Sequence, residues 1–176
     1  MRRKGLVLVS AVMILILLLP SLAAAGGIRP KLSFSPGFCF LPVGQTITLE
    51  VRAGGVVNLY GGEFVIQYDP TALEVLDADP NAEGIQISAG EVFGGRDGFV
   101  ALNAVNDAEG RIYFAATLLE PAAPMQGNAT LARFTVRALR PGPAILRFSP
   151  AYLVDSQANV MDALPLNGGL WLGPIH

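Results

Sequence analysis

The stretch Tyr60-Gly-Gly-Glu-Phe-Val-Ile-Gln-Tyr-Asp-Pro-Thr-Ala-Leu-Glu-Val-Leu76 decides the fold class. Its first part alternates strictly. Phe64, Ile66 and Tyr68 project to one side of an extended chain, and Glu63, Val65 and Gln67 to the other. Pro70 has a fixed φ and no N–H to give to a ladder, so this strand stops by Asp69. Asp69-Pro70 then turns the chain into a second short strand at Leu73-Glu-Val-Leu-Asp77.

The same period of two recurs outward from this stretch. Ile47, Leu49 and Val51 alternate with Thr46, Thr48, Glu50 and Arg52. Ile112, Phe114, Ala116 and Leu118 alternate with Arg111, Tyr113, Ala115 and Thr117. Ala132, Phe134, Val136 and Ala138 alternate with Leu131, Arg133, Thr135 and Arg137. Further strands are expected at Lys31–Ser35, Gly84–Ser88, Gly98–Asn103, Ala144–Phe148 and Gly169–Leu172. Asn106–Gly110 and Arg140–Pro143 read as loops between strands. No segment after the N-terminal apolar run carries a helical stripe. Roughly ten short strands, each with one dry and one wet face, predict an all-β antiparallel sandwich or jelly roll.

Residues 1–25 read as an address. Arg2, Arg3 and Lys4 precede the apolar run Leu6–Leu19, and Ala23-Ala24-Ala25 supplies the small residues of a cleavage site. The run is shorter than the ~20 residues of a membrane span. Export is therefore expected, with cleavage after Ala25, no transmembrane anchor afterwards, and a secreted or cell-envelope location. Residues 26–176 then form one domain with one core. Past residue 25 the chain holds nine basic and 14 acidic residues, a net charge of −5, which argues against nucleic acid. Cys39, the single cysteine, has no partner for an internal disulfide and lies too far from the apolar run to take a lipid. Between Phe38 and Phe40 it reads as a small buried hydrophobe.

Catalytic chemistry is hard to assemble. The one histidine, His176, is the last residue, which removes Ser-His-Asp, Cys-His and His/Cys metal arrangements. Glu63, Asp69, Glu74, Glu91, Asp107 and Glu120 offer carboxylates for a glycosidase pair, but such a pair needs a groove and a raised-pKa acid. Asp79-Pro-Asn-Ala-Glu-Gly84 begins like a calcium loop, yet position twelve is Gly90 and no helices flank it. It reads as a turn. Neither a catalytic residue, a metal ligand nor a cofactor is assigned. For a sugar platform the chain offers Trp171 and the scattered Tyr60, Tyr68, Tyr113 and Tyr152, of which Tyr113 lies on an outward register.

In order along residues 31–172, the chain resembles the cohesin domains of cellulosome scaffoldins. The resemblance is carried by Gly62–Leu76 with its Tyr-Asp-Pro, by Gly44-Gln45-Thr46 and by Gly110-Arg-Ile-Tyr-Phe114. It continues through Gly127-Asn-Ala-Thr-Leu-Ala-Arg-Phe-Thr-Val136, Gly142–Phe148 and the closing Gly-Gly-Leu-Trp-Leu172. It implies a nine-stranded antiparallel β-sandwich with jelly-roll topology. It also implies binding to a dockerin, a small calcium-loaded helical module carried by polysaccharide-degrading enzymes such as glycoside hydrolases. By position, the family's acidic contact on its third strand corresponds to Glu63. Asn106 and Asp107 fall near a polar loop contact, and Glu120 near an acidic one.

The row Glu63, Val65 and Gln67, partly apolar and partly polar, suits a protein interface on its own chemistry. The expected function is thus a non-enzymatic, exported attachment module for a dockerin-bearing partner, linked to polysaccharide degradation. Two other readings stand beside it: a carbohydrate-binding module on the same sandwich, and an envelope protein that assembles through an edge strand.

Overall fold

Gly62–Gln67 proves to be the far end of one 22-residue strand, Thr46–Gln67. The computed structural model describes residues 29–95 and 97–174, so the leader, its cleavage site and His176 lie outside the described residues. In chain order the strands are β1 (Lys31–Ser35), β2 (Phe38–Pro42), β3 (Thr46–Gln67), β4 (Leu73–Leu76), β5 (Ser88–Ala89) and β6 (Gly98–Asn106). They continue with β7 (Arg111–Leu118), β8 (Met125–Ala138), β9 (Gly142–Asp155), β10 (Val160–Met161), β11 (Leu164–Pro165) and β12 (Gly168–Gly173).

β3 passes through both layers. Its first half pairs with β8, from Thr46↔Arg137 to Leu59↔Met125, and with β1, from Lys31↔Gly54 to Ser35↔Glu50. Its second half lies between β7, with Phe64↔Phe114, and β9, with Glu63↔Tyr152. The change of layer occurs where the β3–β8 register slips, between Ala53 and Leu59. Asn58 there has φ 65. Side chains replace the lost ladder bonds: Gly55 N–H donates to Asn128 Oδ1 at 3.1 Å, and Asn58 N–H to Gln126 Oε1 at 3.2 Å.

One layer therefore holds β4 and β5 on β8, then β3, β1 and β11. The other runs β6–β7–β3–β9 and continues through β12 to β2. The twelve strands include the two-residue ladders β5, β10 and β11, and β1 and β2 are parted by a single short interruption. Pro36-Gly37 makes the interruption. After it the chain leaves β3 and runs parallel to β12, with Cys39↔Leu170 and Phe40↔Trp171 in register.

Phenylalanines join the layers. Phe34 meets Phe134 edge-on at 6.3 Å and stacks on Phe148 at 4.5 Å; Phe148 meets Phe64 edge-on at 6.1 Å, and Phe64 stacks on Phe114 at 5.2 Å. All but Phe148 are buried, and each buried ring contributes roughly 1.5–3 kcal/mol by leaving water. Leu49, Val51, Ile66, Leu73, Ile112, Leu131, Val136, Leu146 and Leu153 fill the space around them.

The Asp-Pro corner is held locally and from across the chain. Asp69 Oδ1 accepts from the Thr71 N–H at 2.8 Å and the Thr71 hydroxyl at 2.6 Å, while Arg140 donates to Asp69 Oδ2 at 2.6 Å. Tyr68 N–H donates to Gly110 O at 2.9 Å. The Asp79–Gly84 segment is a turn: Asp79 Oδ1 accepts from the Asn81 N–H, and Asp77 Oδ1 from the N–H groups of Asp79 and Gln86.

Candidate functional site

The outer surface of β6–β7–β3–β9 gathers half of the residues singled out from the sequence. Glu63, Val65 and Gln67 run down β3 with core residues Phe64 and Ile66 between them. Glu63 and Gln67 have a neighbour on both sides, whereas the register shift against β9 leaves Val65 with one. Glu63 is opposite Ala115 and Tyr152; Val65 is opposite Tyr113; Gln67 is opposite Arg111 and Arg147. β6 extends the rows, with Leu102↔Ala115, Ala104↔Tyr113 and Asn106↔Arg111. The centre is apolar and aromatic, with polar and charged groups at the ends. That is the composition of an interface core with its rim.

The remaining three residues sit at the ends of this face. Asn106 closes β6, and its Oδ1 accepts from the Glu109 N–H at 3.2 Å, shaping the β6–β7 turn. Asp107 lies in the same turn, where its Oδ1 accepts from the Tyr68 hydroxyl at 2.6 Å. Tyr68 is buried, and burial first, with the Asp107 carboxylate adding to it, pushes its phenol well above the usual tyrosine range. Asp107 thereby satisfies a hydroxyl that the core could not otherwise accommodate. Glu120 is at the other end, beyond β7. It lines a shallow concavity of about 610 Å³ with Tyr60, Leu119, Pro121 and Ser156.

Several residues of the face were not read from the sequence. β9 extends to Asp155, beyond the expected Phe148, and its register against β3 shifts between Phe64 and Ile66. Leu146 and Phe148 point inward before the shift, and Leu153 after it. The shift turns Tyr152 outward beside Glu63 and leaves Arg147 outward beside Gln67.

The two outer surfaces differ in how their charges are used. Across β3 and β8 of the other layer, Arg133 bridges Glu50 at 3.0 Å and Glu91 at 2.8 Å, and Arg137 holds Glu74 at 2.9 Å. Thr48 and Thr135 hydroxyls meet at 2.8 Å. Hydrogen bonds to backbone N–H groups and to Arg133 keep the Glu91 carboxyl low, although its partial burial, the largest single influence, pulls the other way. Apart from Lys31 on β1, the strand-borne charges of that surface are paired with one another. On β6–β7–β3–β9, Arg111 pairs with Glu109 at 3.2 Å, whereas Glu63 and Arg147 form no ion pair among the described residues.

A second exposed cluster lies where β2, β12 and β9 meet. Phe38, Phe40 and Trp171 are 73%, 55% and 60% exposed. Gly169 faces Phe38 in register, and a Cβ there would touch the Phe38 ring and the Ile145 side chain. Cys39 points the other way and is half-buried, its thiol pushed up by desolvation. Among the described residues, no group of three or more His, Cys, Asp or Glu side chains is placed to hold a metal ion.

Comparison with known proteins gives one family and one fold. Residues 41–162 match the profile described as the cohesin domain. Among solved structures, the cohesin in a type I cohesin–dockerin complex from Clostridium thermocellum superposes with a TM-score of 0.65 at 16% identity, covering 83% of this chain and 100% of that one. The second type II cohesin module of the ScaA scaffoldin of Acetivibrio cellulolyticus gives 0.64 at 16% identity, over 85% and 96%. A non-cellulosomal cohesin from the hyperthermophilic archaeon Archaeoglobus fulgidus gives 0.63 at 14%, over 83% and 92%. No curated protein matches the chain in sequence. The superpositions establish a shared β-sandwich of the jelly-roll kind.

Proposed function

The chain belongs to the cohesin family, and from that premise we propose that it is a protein–protein attachment module whose β6–β7–β3–β9 face binds a dockerin-bearing partner. One observation carries the choice of face: it is the surface that leaves an acidic and a basic side chain, Glu63 and Arg147, without ion-pair partners among the described residues, beside the apolar and aromatic side chains of Val65, Tyr113, Tyr152 and Leu102. Burying that centre supplies affinity, and the charges steer and orient. The role is non-enzymatic. The leader-like residues 1–25 favour export and action in the cell envelope or outside it, and a glycoside hydrolase is one class of partner to expect. The archaeal relative described as non-cellulosomal makes attachment outside a cellulosome an equal setting.

The test is capture. Residues 26–176 are immobilised, and the host's secreted and envelope proteins are passed over them with calcium and then with a chelator. Recovery of a dockerin-bearing protein that is released on chelation is the expected result. A folded domain that retains no such protein overturns the reading.

The three exposed aromatics on β2 and β12 favour a second reading, carbohydrate binding, because flat sheet-borne rings are stacking surfaces for sugars. It predicts retention on an insoluble polysaccharide that is lost in Trp171→Ala. Full retention by Trp171→Ala would remove it.

A further inference from the structure

We propose that the β6–β7–β3–β9 face is electrically polar and so fixes which way round its partner lies, with Arg147 receiving a carboxylate of the partner and Glu63 a basic group. This rests on the attachment reading above and goes on to specify the partner's chemistry. Among the described residues, Arg147 differs from the other arginines in how its charge is met. Arg29, Arg52, Arg111, Arg133, Arg137 and Arg140 each lie within ion-pairing distance of a carboxylate. Arg147 is the one arginine among the described residues that does not. It is exposed on β9, held outward by the inward-facing Leu146 and Phe148 on either side. A planar guanidinium with five donors is suited to a bidentate carboxylate, and this surface supplies none.

The polarity follows from register. Arg147, Gln67, Arg111 and Asn106 form one row across the four strands, and Tyr152, Glu63, Ala115 and Leu102 form another. The rows lie four positions apart along β3. At ~3.3 Å per residue and ~4.8 Å between strands, Glu63 and Arg147 stand about 14 Å apart. The arginine row holds two guanidiniums, only one of them offset by a neighbouring carboxylate, Glu109. The other row holds a lone carboxylate. Between them Val65, Tyr113 and Ala104 carry no charge. On an α-helix the same distance spans roughly nine residues at ~1.5 Å each. The partner element that fits is a helix with an apolar stripe, a basic side chain near one end and an acidic side chain about nine residues away. Turned end for end, that helix would set like charges together on a surface where contact excludes water.

The probe is the calcium-loaded dockerin module recovered by the capture experiment, titrated calorimetrically onto the wild type and onto Glu63→Ala, Glu63→Lys, Arg147→Ala and Arg147→Glu. We expect each charge reversal to weaken binding at least tenfold and more than the matching alanine. That gap should narrow between 0.15 and 1 M NaCl, as screening requires. Melting temperatures should hold, because neither side chain has an ion-pair partner to lose among the described residues. Binding by Arg147→Glu within threefold of wild type, while Glu63→Ala is weakened, would overturn the polarity and leave the attachment function standing. Failure of the folded wild type to capture any dockerin overturns the attachment function and the polarity with it.

Discussion

Replacing Gly110 with alanine should be the most damaging single-methyl change in the β6–β7 hairpin, and its cost can be separated into parts. Gly110 has φ +63, and a Cβ there would lie 2.2 Å from the Tyr68 carbonyl oxygen and 2.7 Å from Pro70 Cδ. Two penalties therefore add: a left-handed backbone costing roughly 1–2 kcal/mol for a residue with a Cβ, and a clash with main chain costing roughly 1–3 kcal/mol. The clash cannot be relieved by moving the turn away. Gly110 O accepts the Tyr68 N–H at 2.9 Å, and Asp107 in the same turn accepts the Tyr68 hydroxyl at 2.6 Å. Two controls isolate the parts. Gly127 has φ +86 with nothing within 4 Å of its would-be Cβ, so Gly127→Ala carries the backbone penalty alone. Gly90 has no left-handed φ, but its Cβ would meet the Thr130 carbonyl oxygen at 2.2 Å, so Gly90→Ala carries the clash alone. In urea unfolding at neutral pH, Gly110→Ala should lose about 2–5 kcal/mol, close to the sum of the two controls. At ~2–4 °C per kcal/mol for a domain of this size, its melting temperature should drop by about 4–20 °C. A loss no larger than that of Gly127→Ala would refute the reasoning, because it would mean that the turn moves freely away from the Tyr-Asp-Pro strand.

Three further outcomes follow from the packing. Phe64→Ala should cost about 3–5 kcal/mol, since it opens a void between Phe114 and Phe148 at the junction of the layers; chemical denaturation measures it. Asp107→Ala should lower stability by about 1–2 kcal/mol by leaving the Tyr68 hydroxyl unpaired while changing dockerin affinity less than threefold; a larger loss of affinity would make Asp107 a contact residue. The raised phenol of Tyr68 gives a sign for alkali. Below the ordinary tyrosine pKa of ~10 its contribution is complete. Above it the unfolded chain ionises this residue while the folded chain keeps the proton, so stability should fall by up to ~1.4 kcal/mol per pH unit. Tyr68→Phe should flatten that limb in urea titrations between pH 9 and 11.

Much of the fold was legible because burial on one side imposes a period of two. The alternation placed β7 at Arg111–Leu118 and β1 at Lys31–Ser35, the bounds they have. It placed Phe64, Ile66 and Tyr68 inside. It read two strands, near 46–53 and 62–68, where β3 is continuous, because the register slips at the change of layer remove the periodicity between them. β2 was missed for a different reason. Phe38-Cys-Phe-Leu41 looks like a buried run, yet Phe38 and Phe40 face out and only Leu41 is fully buried. Hydrophobic character states a preference for burial, and the parallel pairing with β12 decides which side of the strand receives it.

The candidate site was legible along β3 and much less so across it. Glu63, Val65 and Gln67 follow from a single strand's alternation, which any register preserves. Their cross-strand neighbours depend on pairings that no local pattern encodes, and Ser149-Pro150 breaks the period just where Tyr152 and Arg147 acquire their outward positions. One clue was present for Asp107. A tyrosine assigned to the interior needs a partner for its hydroxyl, and the turn after β6 brings that carboxylate to Tyr68. The two outer surfaces differ in how their charges meet across strands. Both carry acidic and basic side chains. On the β3–β8 side, Glu50 of β3 sits opposite Arg133 and Glu74 of β4 opposite Arg137, and these charges hold neighbouring strands together. Glu63 faces Ala115 and Tyr152, and Arg147 faces Gln67, so neither charge has an opposite one across the ladder. A surface that leaves opposite charges unpaired among its described residues, on either side of the uncharged Val65–Tyr113–Ala104 row, is most fully satisfied when another molecule covers it.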